Sequence, residues 1–112
     1  MSKPRLAWRR ILLKISGEGM CKPGSFGIDP DEVDFVASET AAVHRLGVQV
    51  AIVIGGGNIV RGSRLAERGV NKATADHMGM LATVINALAL QSFLENRYRV
   101  ETRVMTAISM ED

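Results

Sequence analysis

The chain alternates between short apolar runs and longer amphipathic stretches, and that alternation is the first guide to its fold. Arg9 to Ile15 (RRILLKI) and Val48 to Ile54 (VQVAIVI) are nearly continuous apolar segments of strand length. Each runs into a glycine cluster, the pattern of a buried strand breaking into a turn. Between them, Asp29-Pro30-Asp31-Glu32 carries a helix start. Asp29 is the N-cap, Pro30 takes the first helical position, and Glu32 stands three residues after the cap. Val33, Val36, Val43 and Leu46 then fall on one helical face with Ala37 and Thr40 beside them, and Gly47 supplies the stop. After the second strand the spacing predicts a short helical stretch over Ile59 to Arg68. A longer helix then runs from near Asn71–Thr74 towards Tyr98. Its residues Met78, Leu81, Ala82, Ile85, Leu88, Ala89 and Phe93 keep a 3–4 spacing. Arg99 to Ala107 (RVETRVMTA) reads as a third strand, and Ser16 to Ile28 as a long glycine-rich loop.

The order β-α-β-α-β with apolar strands predicts a parallel sheet. Right-handed crossovers join its strands, and helices cover both faces. No repeat, linker or low-complexity tract interrupts it. Only Ile108 to Asp112 follow the third strand, so three strands and their helices make half a sheet. The expectation is that the chain pairs with another copy or is the N-terminal part of a longer domain.

Composition narrows the function classes. A chain of 112 residues with 46% hydrophobic and 23% charged content is one small globular unit. A formal charge of +2 is a mild bias that tolerates small anions. It is not the dense basic stripe of a nucleic-acid binder. Lys3, Arg5, Arg9 and Arg10 precede an apolar run, but Lys14 interrupts it and no small-residue cleavage site follows, which argues against a secretion signal. No segment reads as a bilayer span, so no membrane partner is expected. The single Cys21 lacks a disulfide partner, a histidine and a CxxC spacing; it reads as an inert loop thiol suited to a reducing cytoplasm.

Ligand crevices of parallel α/β sheets lie at the carboxyl ends of the strands. Two glycine turns stand at such ends: Ser16-Gly17-Glu18-Gly19 and Gly55-Gly56-Gly57-Asn58. Side by side, their unobstructed backbone N–H groups can form a nest for phosphate oxygens. Lys14 can add an ammonium and Arg61 a bidentate guanidinium. Two familiar phosphate motifs fail on the letters. Val60 stands where a dinucleotide fingerprint needs glycine, and Ser63 where a P-loop needs lysine. Taken alone, the three glycines fit an ordinary strand-to-helix turn. A lysine on a buried strand needs a partner anion, and that tips the reading towards phosphate. Asp76 at the start of the long helix either complements the helix dipole or accepts hydrogen bonds from sugar hydroxyls. His77 reads as a packed or capping residue, since no second ligand has metal spacing. Gly79 implies close approach of the helix to a sheet, a ligand or another subunit. Met78, Met80 and Met105 read as core filler.

KISGE (Lys14–Glu18), FGID (Phe26–Asp29), VIGGGNIVRG (Val53–Gly62) and DHMGMLATVINALA (Asp76–Ala89) together resemble the bacterial-type uridylate (UMP) kinase family of the amino-acid kinase superfamily. The resemblance covers nearly the whole chain after Trp8. It implies a three-layer αβα sandwich with a mainly parallel sheet, of carbamate-kinase-like architecture. Residues 1–112 are then the N-terminal part of a single such domain, since family members are about twice as long, still within one domain's size. It also implies transfer of the γ-phosphoryl of ATP to UMP, giving UDP and ADP. By the resemblance Lys14, Ile15, Ser16, Gly17, Gly57 and Arg61 face ATP, with Lys14 and Arg61 catalytic. Gly56 and Asp76 face UMP, and Lys22, Pro23, Gly24, Ser25, Phe26 and Gly27 form a loop linked to activation by GTP. Mg²⁺ would arrive with ATP, and no residue of this chain is assigned to it. A cytoplasmic homo-oligomer, a hexamer built through the long helices, is the family expectation. The chain alone is expected to bind nucleotide weakly and not to turn over. The competing readings are a non-catalytic storage protein on the same fold, similar to molybdate-storage proteins, and a bare α/β fragment. Joint retention of Lys14, Arg61 and Asp76 favours the kinase.

Overall fold

The computed structural model describes residues 6–106. The elements run β1 (Arg10–Ile15), α1 (Pro30–Arg45), β2 (Gln49–Ile54), α2 (Gly62–Glu67) and α3 (Lys72–Tyr98), with a 3₁₀ turn at Gly17–Met20 inside the loop expected to be irregular. β1 and β2 pair in parallel, Arg10 opposite Gln49 and Ile15 opposite Ile54. Parallel neighbours need a crossover, and α1 provides it. Alternation along the strands puts Ile11, Leu13, Ile15, Val50, Ile52 and Ile54 on a half-buried face, while Leu12, Lys14, Ala51 and Val53 are exposed.

The start of α1 follows the letters. Asp29 Oδ1 accepts from the N–H groups of Asp31 (2.9 Å) and Glu32 (3.4 Å), and Pro30 opens the first turn. Gly47 closes it at φ 95°, a conformation costly for any residue with a Cβ. The buried stripe, however, is Val33, Ala37, Thr40 and Ala41; Leu46, expected inside, is 54% exposed. The two alanines let α1 lie close to α3, and the Thr40 hydroxyl is satisfied by donating to Val36 O at 2.8 Å. Met20, Val33, Ala37, Ala41, Leu90 and Leu94 form the core, with Ile52 and Ile54 of β2 packed on it.

The Asn71 side chain caps α3 by accepting from Ala73 N at 2.8 Å, and Arg99 ends it in a left-handed conformation at φ 58°. Its buried row is Ala82, Asn86, Leu90 and Leu94 at i,i+4 spacing, joined by Ala75 and Val84. Met78, Leu81, Ile85 and Leu88, expected inside, are exposed instead. The helix is apolar on most sides, so periodicity alone could not select its inner face. Met80 and Met105 are exposed too, and among the described residues Met20 is the fully buried methionine. His77 is exposed rather than packed. A Cβ on Gly79 would meet nothing within 4 Å, so among the described residues no sheet approaches the helix there. By length and composition α3 is also capable of crossing a bilayer, correcting the expectation that no segment is. It lies against α1 and seats the hydrogen-bonded Asn86.

The expected third strand does not form over Arg99 to Thr106; Ala107 lies outside the described residues. Thr102 is held by α3 side chains instead: Gln91 Nε2 donates to Thr102 O (2.9 Å) and Thr102 N donates to Glu95 Oε2 (3.2 Å). This segment pairs with no strand among the described residues, and it lines a groove of about 650 Å³ together with β2 and α3. Ladder bonds need a neighbour, and here side chains satisfy the backbone. The α/β class with a parallel sheet stands. Among the described residues both long helices pack on one sheet face and the other is uncovered, where a helix layer on each face was expected.

Candidate functional site

The two glycine turns meet because their strands are adjacent and end level. Gly55 N donates to Ile15 O at 2.9 Å, carrying the pairing one step past the strands. Beyond it the turns touch so closely that side chains are excluded. A Cβ on Gly17 would lie 2.5 Å from Gly57 N and 2.8 Å from Asn58 Oδ1. A Cβ on Gly56 would lie 2.7 Å from the Ala82 Cβ of α3. Glycine is demanded here by contact with backbone, not by φ. Ile59 N and Val60 N both donate to Gly56 O at 3.0 Å, while the N–H groups of Gly56 and Gly57 have no acceptor among the described residues. Such free donors at a strand end are suited to an anion.

Arg61 reaches back across this edge, its Nη2 3.0 Å from Glu18 Oε1. The Glu18 carboxylate also accepts from Ser16 Oγ. That hydrogen bond, then the backbone of Glu18 and the Arg61 charge, hold the carboxyl below its usual range. Ser16, Gly17, Gly56, Gly57 and Arg61 are thus brought into one neighbourhood with Ile15 at its base. A cavity of about 580 Å³ opens from it, lined by Glu18, Lys22, Phe26, Gly57, Arg61 and Arg64. Residues 22–26 of the loop therefore face the glycine turn across the same space.

Two expected site residues stand apart. Lys14 lies opposite Val53 on the uncovered sheet face and is exposed. The argument that burial obliges it to find an anion does not hold in this structure. Asp76 lies in the second turn of α3, where Lys72 Nζ pairs with it at 2.9 Å, and the helix dipole is met by the Asn71 cap rather than by Asp76. From Asp76 to Ala82, where Gly56 rests on the helix, is about 9 Å along the axis.

A pair of buried amides, unassigned by the sequence reading, fixes the geometry. Asn58 and Asn86 are 3% and 0% exposed. Asn86 Nδ2 donates to Gly55 O (2.8 Å) and Asn58 Oδ1 (2.7 Å), and Asn58 Nδ2 donates to Asn86 Oδ1 (3.1 Å) and Gly27 O (2.8 Å). Gly27 N donates in turn to Asn58 O at 2.7 Å. One polar core thereby ties the turn after β2, helix α3 and the end of the 22–27 loop together. Gly27 sits at φ 81° and Gly24 at φ 76°, and Lys22 pairs with Asp29 at 3.7 Å. The signal for Asn86 was its place in an apolar i,i+4 row between Ala82 and Leu90.

The profile of the amino acid kinase family matches residues 9–110. The uridylate kinase of Xanthomonas axonopodis pv. citri is 53% identical over 107 residues, covering 96% of this chain and 44% of that protein. The chain thus spans less than half the length of this curated relative. Among solved structures, UMP kinase from Ureaplasma parvum superposes with a TM-score of 0.82 at 40% identity, over 92% of this chain and 45% of that one. Carbamate kinase from Giardia lamblia, at 17% identity and a TM-score of 0.58, shares the fold over 83% of this chain and 35% of its own.

Proposed function

The chain belongs to the amino acid kinase family, and on that premise we propose that it supplies the phosphate-binding part of a uridylate kinase, which transfers the γ-phosphoryl of ATP to UMP to give UDP and ADP. The observation that carries this is the contact between the two turns, with Gly17 against Gly57 and Arg61 reaching over both residues' edge. Uridylate kinase relatives of the same sequence pattern support the choice of acceptor. Phosphoryl transfer asks a protein for alignment and for charge neutralisation more than for covalent chemistry. Free N–H groups on Gly56 and Gly57 orient phosphate oxygens, and the Arg61 guanidinium offsets their charge where donor and acceptor meet.

In this reading Lys14, Ile15, Ser16, Gly17, Gly57 and Arg61 serve the ATP side, and Gly56 and Asp76 the UMP side. Asp76 would accept from ribose hydroxyls after leaving Lys72. The described residues hold no group of three His, Cys, Asp or Glu side chains able to bind a metal. In this reading Mg²⁺ arrives on the phosphates of ATP, and no residue here is assigned to it. The 22–27 loop, bonded to Asn58 through Gly27, is the route by which an effector such as GTP would reach the turn. The exposed row Met78, Leu81, Ile85 and Leu88 supports assembly with further copies through α3, as a hexamer in the family's manner. A reaction on ATP and UMP belongs in the cytoplasm.

The test is calorimetric titration of the chain with UMP and with MgATP. Binding of both nucleotides, with that of MgATP weakened about tenfold or more by Arg61→Ala, the worth of a charged hydrogen bond, supports the proposal. Absence of binding, or binding indifferent to Arg61, overturns it.

A further inference from the structure

We propose that the Glu18 carboxylate is a resident anion in the cradle, occupying the place of a phosphate group and swinging out when one binds. The inference rests on the reading of the turns as a phosphate site. Three contacts made at once carry it. Glu18 Oε1 is 3.0 Å from Arg61 Nη2. The other carboxylate oxygen accepts from Ser16 Oγ. A Cβ added to Gly57 would lie 2.7 Å from Oε1 and 3.4 Å from Oε2, so the carboxylate occupies the space beside the Gly57 Cα, Oε1 nearest. Ser16, Gly57 and Arg61 are the residues that the reading gives to phosphate. A carboxylate offers the guanidinium and the hydroxyl the same anionic oxygen acceptors that a phosphate does, here one oxygen to each.

The side chain is also free to leave. It is 51% exposed, as is Arg61 at 52%, and it opens onto the cavity shared with Lys22 and Arg64. Arg64 has no ion pair among the described residues and keeps that space cationic when Glu18 departs. The consequence is a site already neutralised while empty. An incoming phosphate meets an occupied guanidinium, and its apparent affinity falls by the fraction of molecules in which Glu18 is already out. The same factor applies to every anion that needs the Arg61 guanidinium, pyrophosphate and nucleotide phosphate alike.

Calorimetric titration of inorganic pyrophosphate and of UMP into the full chain tests this, using Glu18→Gln, Glu18→Asp and the distant charge control Glu39→Gln. An exposed ion pair with one extra hydrogen bond corresponds to an opening ratio of about three to ten. Glu18→Gln is therefore expected to bind pyrophosphate roughly three- to tenfold more tightly, and Glu18→Asp, too short to span Ser16 and Arg61, to bind more tightly as well. Glu39→Gln should match the parent, and adding Arg61→Ala to Glu18→Gln should remove the gain. Equal or weaker binding by Glu18→Gln, while UMP still binds, means that Glu18 holds Arg61 in place rather than competing with phosphate; that overturns the inference and leaves the proposed function intact. Failure of every variant to bind either probe overturns both.

Discussion

Replacing Asn86 with alanine should be among the most damaging single changes in this chain. The side chain is fully buried and satisfies three polar contacts. Truncation leaves Gly55 O and Asn58 Oδ1 without a donor, while Asn58 Nδ2 keeps Gly27 O at 2.8 Å. Each orphaned buried group costs about 1–3 kcal/mol. Gly55 is only half-buried, so its share is set at the low end. The total is about 3 kcal/mol, a large part of the roughly 5–15 kcal/mol that stabilises a domain. With a urea m-value of about 1–1.5 kcal/mol/M, the midpoint falls by about 2–3 M. Asn86→Leu separates the causes, since it restores volume and leaves the same acceptors unpaired. Urea unfolding followed by circular dichroism should show Asn86→Ala and Asn86→Leu destabilised alike. A loss below about 1 kcal/mol at unchanged m, or full recovery by leucine, would refute the claim that hydrogen bonding rather than packing makes this residue necessary.

Gly17→Ala forces a methyl to 2.5 Å from Gly57 N, a backbone atom that cannot yield cheaply. It should cost about 1–3 kcal/mol in urea unfolding and weaken UMP binding together with stability. Gly79→Ala meets open space inside α3, and should stabilise by about 0.5–1 kcal/mol, read as a higher thermal midpoint. The Glu18 carboxyl is lower in the fold than in the unfolded chain, so its contribution is present above the ordinary carboxylate range and lost as pH falls through the folded value. Carboxyl carbon shifts should show Glu18 titrating below exposed glutamates, and Ser16→Ala, which removes the largest cause, should bring it up.

How far the letters carried depended on whether the signal was local. The Asp29-Pro30 start, the Asn71 start of α3 and the two strands follow from neighbours in sequence, and each lies within a residue or so of where the pattern put it. Adjacency of the glycine turns followed from parallel pairing. The inner face of α3 did not, because Met78, Leu81 and Ile85 are as apolar as the residues that are buried. The third strand failed for a different reason: a strand exists only with a partner, and here the Thr102 backbone is bonded to the Gln91 and Glu95 side chains instead. Asn58 and Asn86 are 28 residues apart in sequence, and a buried amide pair leaves no periodic trace. Lys14 was assigned an anion from strand burial, and its face of the sheet is open among the described residues.

The central claim is that the paired turns hold the phosphates of UMP and ATP. It is tested most directly by titrating UMP and MgATP separately into ¹⁵N-labelled chain and following the backbone amides. The account predicts that Gly56 moves first and furthest with UMP, and Gly17, Gly57 and the Arg61 side-chain signals with MgATP. Shifts concentrated in the groove beside residues 101–106, or none at the turns at saturating UMP, would contradict it.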